Sequence, residues 1–154
     1  MPAEIERKFL LRALPDLPQP YTWADLCQGY LSTGDPEIRL RGGTPGDGGA
    51  PTFVRTVKHG AGLRREESEE PLDADTFARE WPRTAGARLH KRRYTVAEGG
   101  LKWEIDEYTD RDLIVAEVEL LTADTAFPLP AWLEAVLVRE VTGEAEFANK
   151  NLAR

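Results

Sequence analysis

A chain of 154 residues is long enough to bury a core without staples and short enough that a single domain over 1–154 is the expectation. One cysteine, Cys27, excludes an intramolecular disulfide, and 27 acidic against 20 basic residues, a net charge of -7, argue against nucleic acid held by a generally basic surface. No apolar run at the N-terminus is long enough for a signal peptide or a membrane span, so the expected address is the cytoplasm, with no membrane partner.

Glu4-Ile5-Glu6-Arg7-Lys8-Phe9 reads as a strand whose alternation puts Glu4, Glu6 and Lys8 on one face and Ile5 and Phe9 on the other. Gln28-Gly29-Tyr30-Leu31 follows in a second strand, where Tyr30 is either a packed aromatic or a hydroxyl directed at the charged face. The glycine and proline run 42–51 separates Glu37-Ile38-Arg39-Leu40-Arg41 from the strand ending in Lys58, and so predicts a hairpin tip. A turn at 60–62 leads into Leu63-Arg64-Arg65-Glu66-Glu67-Ser68-Glu69, where a slip of one residue would exchange the two faces.

Asp73 is placed to cap a helix over 74–81 that Pro82 stops, with Phe77 and Trp81 one turn apart. Two strands joined at Glu98-Gly99-Gly100 carry Lys91 and Arg93, then Glu104 and Asp106, and a third carries Glu117 and Glu119. Pro130 predicts a short helix through Val136, and Thr142 a capped terminal helix bearing Phe147 and Lys150. About eight strands and two or three helices make an α+β chain dominated by antiparallel sheet.

Sorted by parity, one face of nearly every strand is almost purely Glu, Asp, Arg and Lys. Such a face is either solvated, with the opposite face packed on helices, or enclosed. Carboxylates two residues apart on several strands repel one another unless cations sit among them, and about eight antiparallel strands with few helices can remove their edges by closing. A closed barrel lined with charge must hold water, anion and metal, because unpaired buried charge costs several kcal/mol per ion. Arg and Lys suit phosphate oxygens; Glu and Asp suit Mg²⁺ or Mn²⁺. The residues themselves therefore point to a metal-dependent polyphosphate site.

Glu4-x-Glu6-x-Lys8 resembles the ExExK signature of the CYTH, or triphosphate tunnel metalloenzyme, superfamily. Gln28-Gly29-Tyr30-Leu31, Arg39-x-Arg41, Lys58, Arg65-x-Glu67-x-Glu69, Lys91-x-Arg93, Glu104-x-Asp106, Glu117-x-Glu119 and Asn149-Lys150-x-Leu152 follow in the family's order. The resemblance implies a closed eight-stranded antiparallel tunnel with a few peripheral helices, and is greatest to short bacterial inorganic triphosphatases. It implies phosphate contacts from Lys8, Arg39, Arg41, Lys58, Arg65, Lys91, Arg93 and Lys150. It implies a metal site, for Mg²⁺ or Mn²⁺, from Glu4, Glu6, Asp106, Glu117 and Glu119, with Glu67, Glu69 and Glu104 completing the acidic wall. Catalysis would fall to Lys8, Glu4, Glu6 and Tyr30.

The function expected is hydrolysis of inorganic tripolyphosphate to diphosphate and phosphate. The alternatives are hydrolysis of an organic triphosphate such as a nucleoside or thiamine triphosphate, cyclisation of ATP as in class IV adenylate cyclases, and a polyphosphate-binding module without chemistry. The apolar faces, with several tryptophans, raise the further expectation of a homodimer.

Overall fold

The computed structural model describes residues 5–60, 66–120 and 126–154, which form two compact units: residues 1–23 with 91–144, and residues 24–90 with 145–154. The strands are β1 (Ile5–Leu11), β2 (Thr22–Ser32), β3 (Glu37–Pro45), β4 (Thr52–His59), β5 (Glu66–Leu72), β6 (Arg88–Glu98), β7 (Leu101–Tyr108), β8 (Ile114–Leu120) and β9 (Leu137–Glu140). The helices are α1 (Ala74–Glu80), α2 (Ala131–Glu134) and α3 (Asn149–Leu152).

In the first unit the hydrogen-bonded order is β6-β7-β8-β1-β9. Its apolar face carries Phe9, Leu11, Trp103, Ile105, Ala116, Val118 and Leu120, and Leu133 of α2 packs on it together with Phe127, Leu129 and Trp132. Trp103 is at the centre, with ring centroids 5.9 Å from Phe9, 5.7 Å from Phe127 and 5.9 Å from Trp132. Alternation explains why this face is dry: apart from Arg7 and Glu107, the residues of one parity in β1, β7 and β8 are all apolar, and burying a large one stabilises by about 1.5–3 kcal/mol. The chain thus covers this apolar face with its own 127–133 segment. Among the described residues only Leu14 and Val138 are large hydrophobics left exposed.

In the second unit the order is β5-β4-β3-β2. Its apolar side packs on α1, where Phe77 lies 4.7 Å from Phe53 and 5.2 Å from Trp81 between ring centroids. The Asp73 side chain accepts from Thr76 N at 2.7 Å, the expected N-cap, and Pro82 turns the chain into a 3₁₀ turn at Trp81–Thr84. That turn lies against β2. A Cβ on Gly29 would fall 2.5 Å from Thr84 Oγ1, and Thr84 is fixed because its hydroxyl donates to Trp81 O and accepts from Arg88 Nε. Gly29→Ala is therefore expected to lower unfolding free energy by about 1–3 kcal/mol in urea denaturation, as overpacking does; an unchanged midpoint would contradict this close approach.

Three expectations are corrected. Nine strands are present among the described residues, because the stretch expected as helix through Val136 is helical only over 131–134 and then forms β9 along β1. The hydrogen-bonded order ends at β5 and at β9, so closure into a barrel is not made by backbone ladders among the described residues. Thr142 does not cap a terminal helix; its hydroxyl accepts from Lys8 N at 2.9 Å and donates to Glu140 Oε2 at 2.6 Å, and α3 starts only at Asn149.

Candidate active site

The register of the first unit decides which charges meet. Lys8 of β1 stands opposite Glu117 of β8, and Glu6 opposite Glu119. Glu117 is in turn opposite Glu104 of β7, and Asp106 opposite Arg93 of β6. Directly opposed residues share a sheet face, so all of these lie on the face away from Trp103. Lys8 Nζ is 3.2 Å from Glu117 Oε1, with both side chains largely buried.

Asp106 is the most heavily engaged acid. Lys91 Nζ donates to its Oδ2 at 2.8 Å, while Arg93 donates from Nε to Oδ1 at 2.8 Å and from NH2 to Oδ2 at 3.0 Å. The third Arg93 nitrogen, NH1, is 2.9 Å from Glu104 Oε2. Lys91 and Asp106 are essentially sealed from solvent, at 1% and 0% exposure. Burial alone would push the Asp106 carboxyl up, but Lys91 and Arg93 override it and hold it well below the usual carboxylate range. For Arg93, burial pulls down and Asp106, then Glu104 and Glu117, more than reverse it, so the guanidinium is raised.

Both Asp106 oxygens thus accept from cations, which makes this residue a counter-ion that orients Lys91 and Arg93. The hard-oxygen donors better suited to a divalent ion are Glu6 and Glu119, opposed across the β1–β8 ladder, with Glu117 two residues away. Like charges directly opposite are destabilising, and a cation relieves them. Among the described residues no group of three or more His, Cys, Asp or Glu lies close enough to hold a metal ion, and Glu4, expected in this set, falls outside the described residues.

The second unit holds a cationic cluster on one face of β2, β3 and β4. Tyr30 is opposite Arg39, Gln28 opposite Arg41, Thr56 opposite Arg39 and Lys58 opposite Glu37. Arg39 donates to Thr56 Oγ1 at 3.3 Å, and its Nε is buried without a hydrogen-bond acceptor. Arg41 Nε donates to Gln28 Oε1 at 2.9 Å, and Gln28 Nε2 donates to the Tyr30 hydroxyl at 2.8 Å. Burial raises the Tyr30 phenol, only partly offset by Arg39, Arg41 and Gln28, so the hydroxyl keeps its proton at neutral pH.

Lys150 of α3 does reach this face. Its Nζ lies 3.9 Å from Glu37 Oε1, and Lys58 Nζ lies 4.0 Å from Glu37 Oε2, so one buried carboxylate stands between two ammonium groups from distant parts of the chain. Glu67 and Glu69 pair with Lys58 and Thr56, which puts them on this face as expected and fixes the β5 register; both are exposed. Arg65 lies outside the described residues.

Sequence reasoning gave no role in the site to Glu37, none to Gln28 beyond its place in the Gln28-Gly29-Tyr30-Leu31 motif, and only that of a helix cap to Thr142. Glu37 carried a signal: it sits two residues before Arg39 and shares its strand face. What Gln28 and Thr142 bond to was not legible, because a neutral amide and a hydroxyl become informative only once their partners are known.

No family model matches the chain. It is 36% identical to the inorganic triphosphatase of Nitrosomonas europaea over 97% of this chain and 96% of that protein. A crystal structure of the inorganic triphosphatase NE1496 superposes with a TM-score of 0.70 at 34% identity, covering 99% of this chain and 95% of that one. The PH1819 protein from Pyrococcus horikoshii OT3, at 17% identity and a TM-score of 0.53 over 79% of this chain and 80% of that one, shares the fold alone. With the charged motifs placed on one face of each unit, and with this likeness spanning nearly the whole of both chains, the protein belongs to the CYTH, or triphosphate tunnel metalloenzyme, superfamily, among its short bacterial members.

Proposed function

We propose that the chain hydrolyses inorganic tripolyphosphate to diphosphate and phosphate with Mg²⁺ or Mn²⁺, inside the charged β-tunnel that the family resemblance implies. Arg39 carries this reading. A guanidinium held by a hydroxyl, with a buried Nε lacking an acceptor, is a donor prepared for an anionic oxygen. Arg41, Lys58 and Lys150 on the same face supply further positive charge for a ligand bearing several phosphates, and the name of the Nitrosomonas relative supports the same substrate.

Glu6, Glu117 and Glu119, with Glu4, would hold the divalent ion, which when bound supplies charge neutralisation and Lewis acidity at the phosphate oxygens. The protein's own residues do the rest. Arg39, Arg41, Lys58 and Lys150 bind the polyphosphate; Asp106 keeps Lys91 and Arg93 charged and aimed. Lys8, tied to Glu117, donates to oxygens at the reacting end. A water oxygen bonds to the terminal phosphorus, the bridging P–O bond breaks with its electron pair passing to diphosphate, and the water proton is released. Positioning and charge compensation account for most of the acceleration in such transfers.

A panel of tripolyphosphate, ATP and thiamine triphosphate against Mg²⁺, Mn²⁺ and chelator tests this. Phosphate release that is fastest from tripolyphosphate and abolished by chelator is expected. Preferred turnover of an organic triphosphate, or cyclic AMP formed from ATP, would replace the reading with one of the alternatives, and metal-independent binding without hydrolysis would make the protein a binding module.

A further inference from the structure

Gln28 is fully buried in the middle of β2, and its amide makes two hydrogen bonds, accepting from Arg41 Nε and donating to the Tyr30 hydroxyl. A guanidinium has only donors, so the amide oxygen is obliged to face Arg41 and the amide nitrogen to face Tyr30. The phenol oxygen is therefore an acceptor toward Gln28, and its own proton must go elsewhere. Among the described residues no acceptor takes it, although Tyr30 is only 4% exposed. Directly across the β2–β3 ladder stands Arg39, whose buried Nε also has no acceptor. Two buried donors, one neutral and one cationic, thus sit on opposed residues of one sheet face, each carrying the cost of an unmade hydrogen bond.

We infer that Gln28 is a positioning residue: by fixing the direction of the Tyr30 hydroxyl it makes the phenol a donor which, with Arg39 Nε, takes one oxygen of the anionic ligand. On the proposed function, on which this rests, that oxygen belongs to a phosphate group. Gln28 acts through Tyr30 and Arg41 and touches no substrate itself.

Gln28→Glu tests it, because it keeps the shape and reverses the polarity. A carboxylate accepts from both Arg41 and Tyr30, so the phenol proton turns inward and is lost to the ligand. KM for tripolyphosphate is expected to rise about tenfold or more, with little change in melting temperature, and Tyr30→Phe to do the same. The double variant is expected to show less than the product of the two single effects, because both remove the same donor. Full multiplication, or an unchanged KM in either single variant, overturns the inference.

A second readout does not need turnover. The charged groups around the phenol are Arg39, Arg41 and Glu37 of β3. Replacing the donating amide by an accepting carboxylate among them should move the Tyr30 ionisation, read as an ultraviolet difference against Tyr30→Phe, to higher pH. An unmoved ionisation overturns the inference whether or not tripolyphosphate is hydrolysed, whereas a wild-type protein without activity on tripolyphosphate overturns the function alone. If Gln28→Glu does not fold, Gln28→Met, which frees the phenol, is expected to raise KM, and an unchanged KM sinks the proposal.

Discussion

Asp106→Asn is expected to cost about 3–5 kcal/mol of stability at neutral pH, since it leaves Lys91 and part of the Arg93 charge buried without their counter-ion. The amide oxygen can still accept, but the amide nitrogen would face a donor. The pH dependence separates this from a mere packing defect. The Asp106 carboxyl is depressed in the folded protein because Lys91 and Arg93 outweigh the effect of burial. A depressed carboxyl contributes stability that is fully present above the unfolded value of about 3.9 and is lost as pH falls through the folded one. The gap between wild type and Asp106→Asn should therefore be widest near pH 7 and shrink on acidification below about pH 4. Urea denaturation at pH 7 and pH 3 measures it; equal gaps at both would show that the carboxylate charge contributes nothing. Activity is expected to fall with the charge, because Lys91 and Arg93 lose the group that aims them.

The charged face was legible in the sequence because it obeys a period of two, and a ladder needs nothing else: once β1 and β8 pair, Lys8 must meet Glu117 and Glu6 must meet Glu119. Asp73 as a cap and Pro82 as a stop were legible for the same local reason. What failed depends on partners far along the chain. The stretch after α2 has a sequence that serves a helix or a strand, and pairing with β1 decides for β9. Thr142 reads as a cap until the Lys8 backbone, 134 positions away, claims its hydroxyl. The pairing of Asp106 with Lys91 and Arg93 was also not legible, because an acid among other acids does not announce which cations its fold will bring to it. Hydrogen-bonded closure of the sheet is likewise a long-range property, one that strand count alone does not decide.

Lys8→Ala is expected to reduce kcat on tripolyphosphate by about 10²–10³-fold while leaving the fold intact. Two features of β1 separate these effects. The backbone of Lys8 is pinned from the β9 side, where Val141 N donates to Lys8 O at 2.8 Å and Lys8 N donates to Thr142 Oγ1, and neither bond involves the side chain. Phe9 next to it keeps its place in the core against Trp103. What is lost is the ammonium beside Glu117, which leaves that carboxylate facing Glu104 across the β7–β8 ladder with Glu119 two residues away. The same acidic face should then gain more from a divalent ion than wild type does, so the rise in melting temperature on adding Mg²⁺ or Mn²⁺ should be larger in Lys8→Ala. Lys8→Arg keeps the charge but spreads it over a planar fork that cannot place its donors where the compact ammonium stands, 3.2 Å from Glu117 Oε1, so it should recover little of the rate. A Lys8→Ala variant with wild-type kcat would remove the ExExK lysine from the chemistry, and one that gains no more from Mg²⁺ or Mn²⁺ than wild type would detach the metal from the Glu117 face.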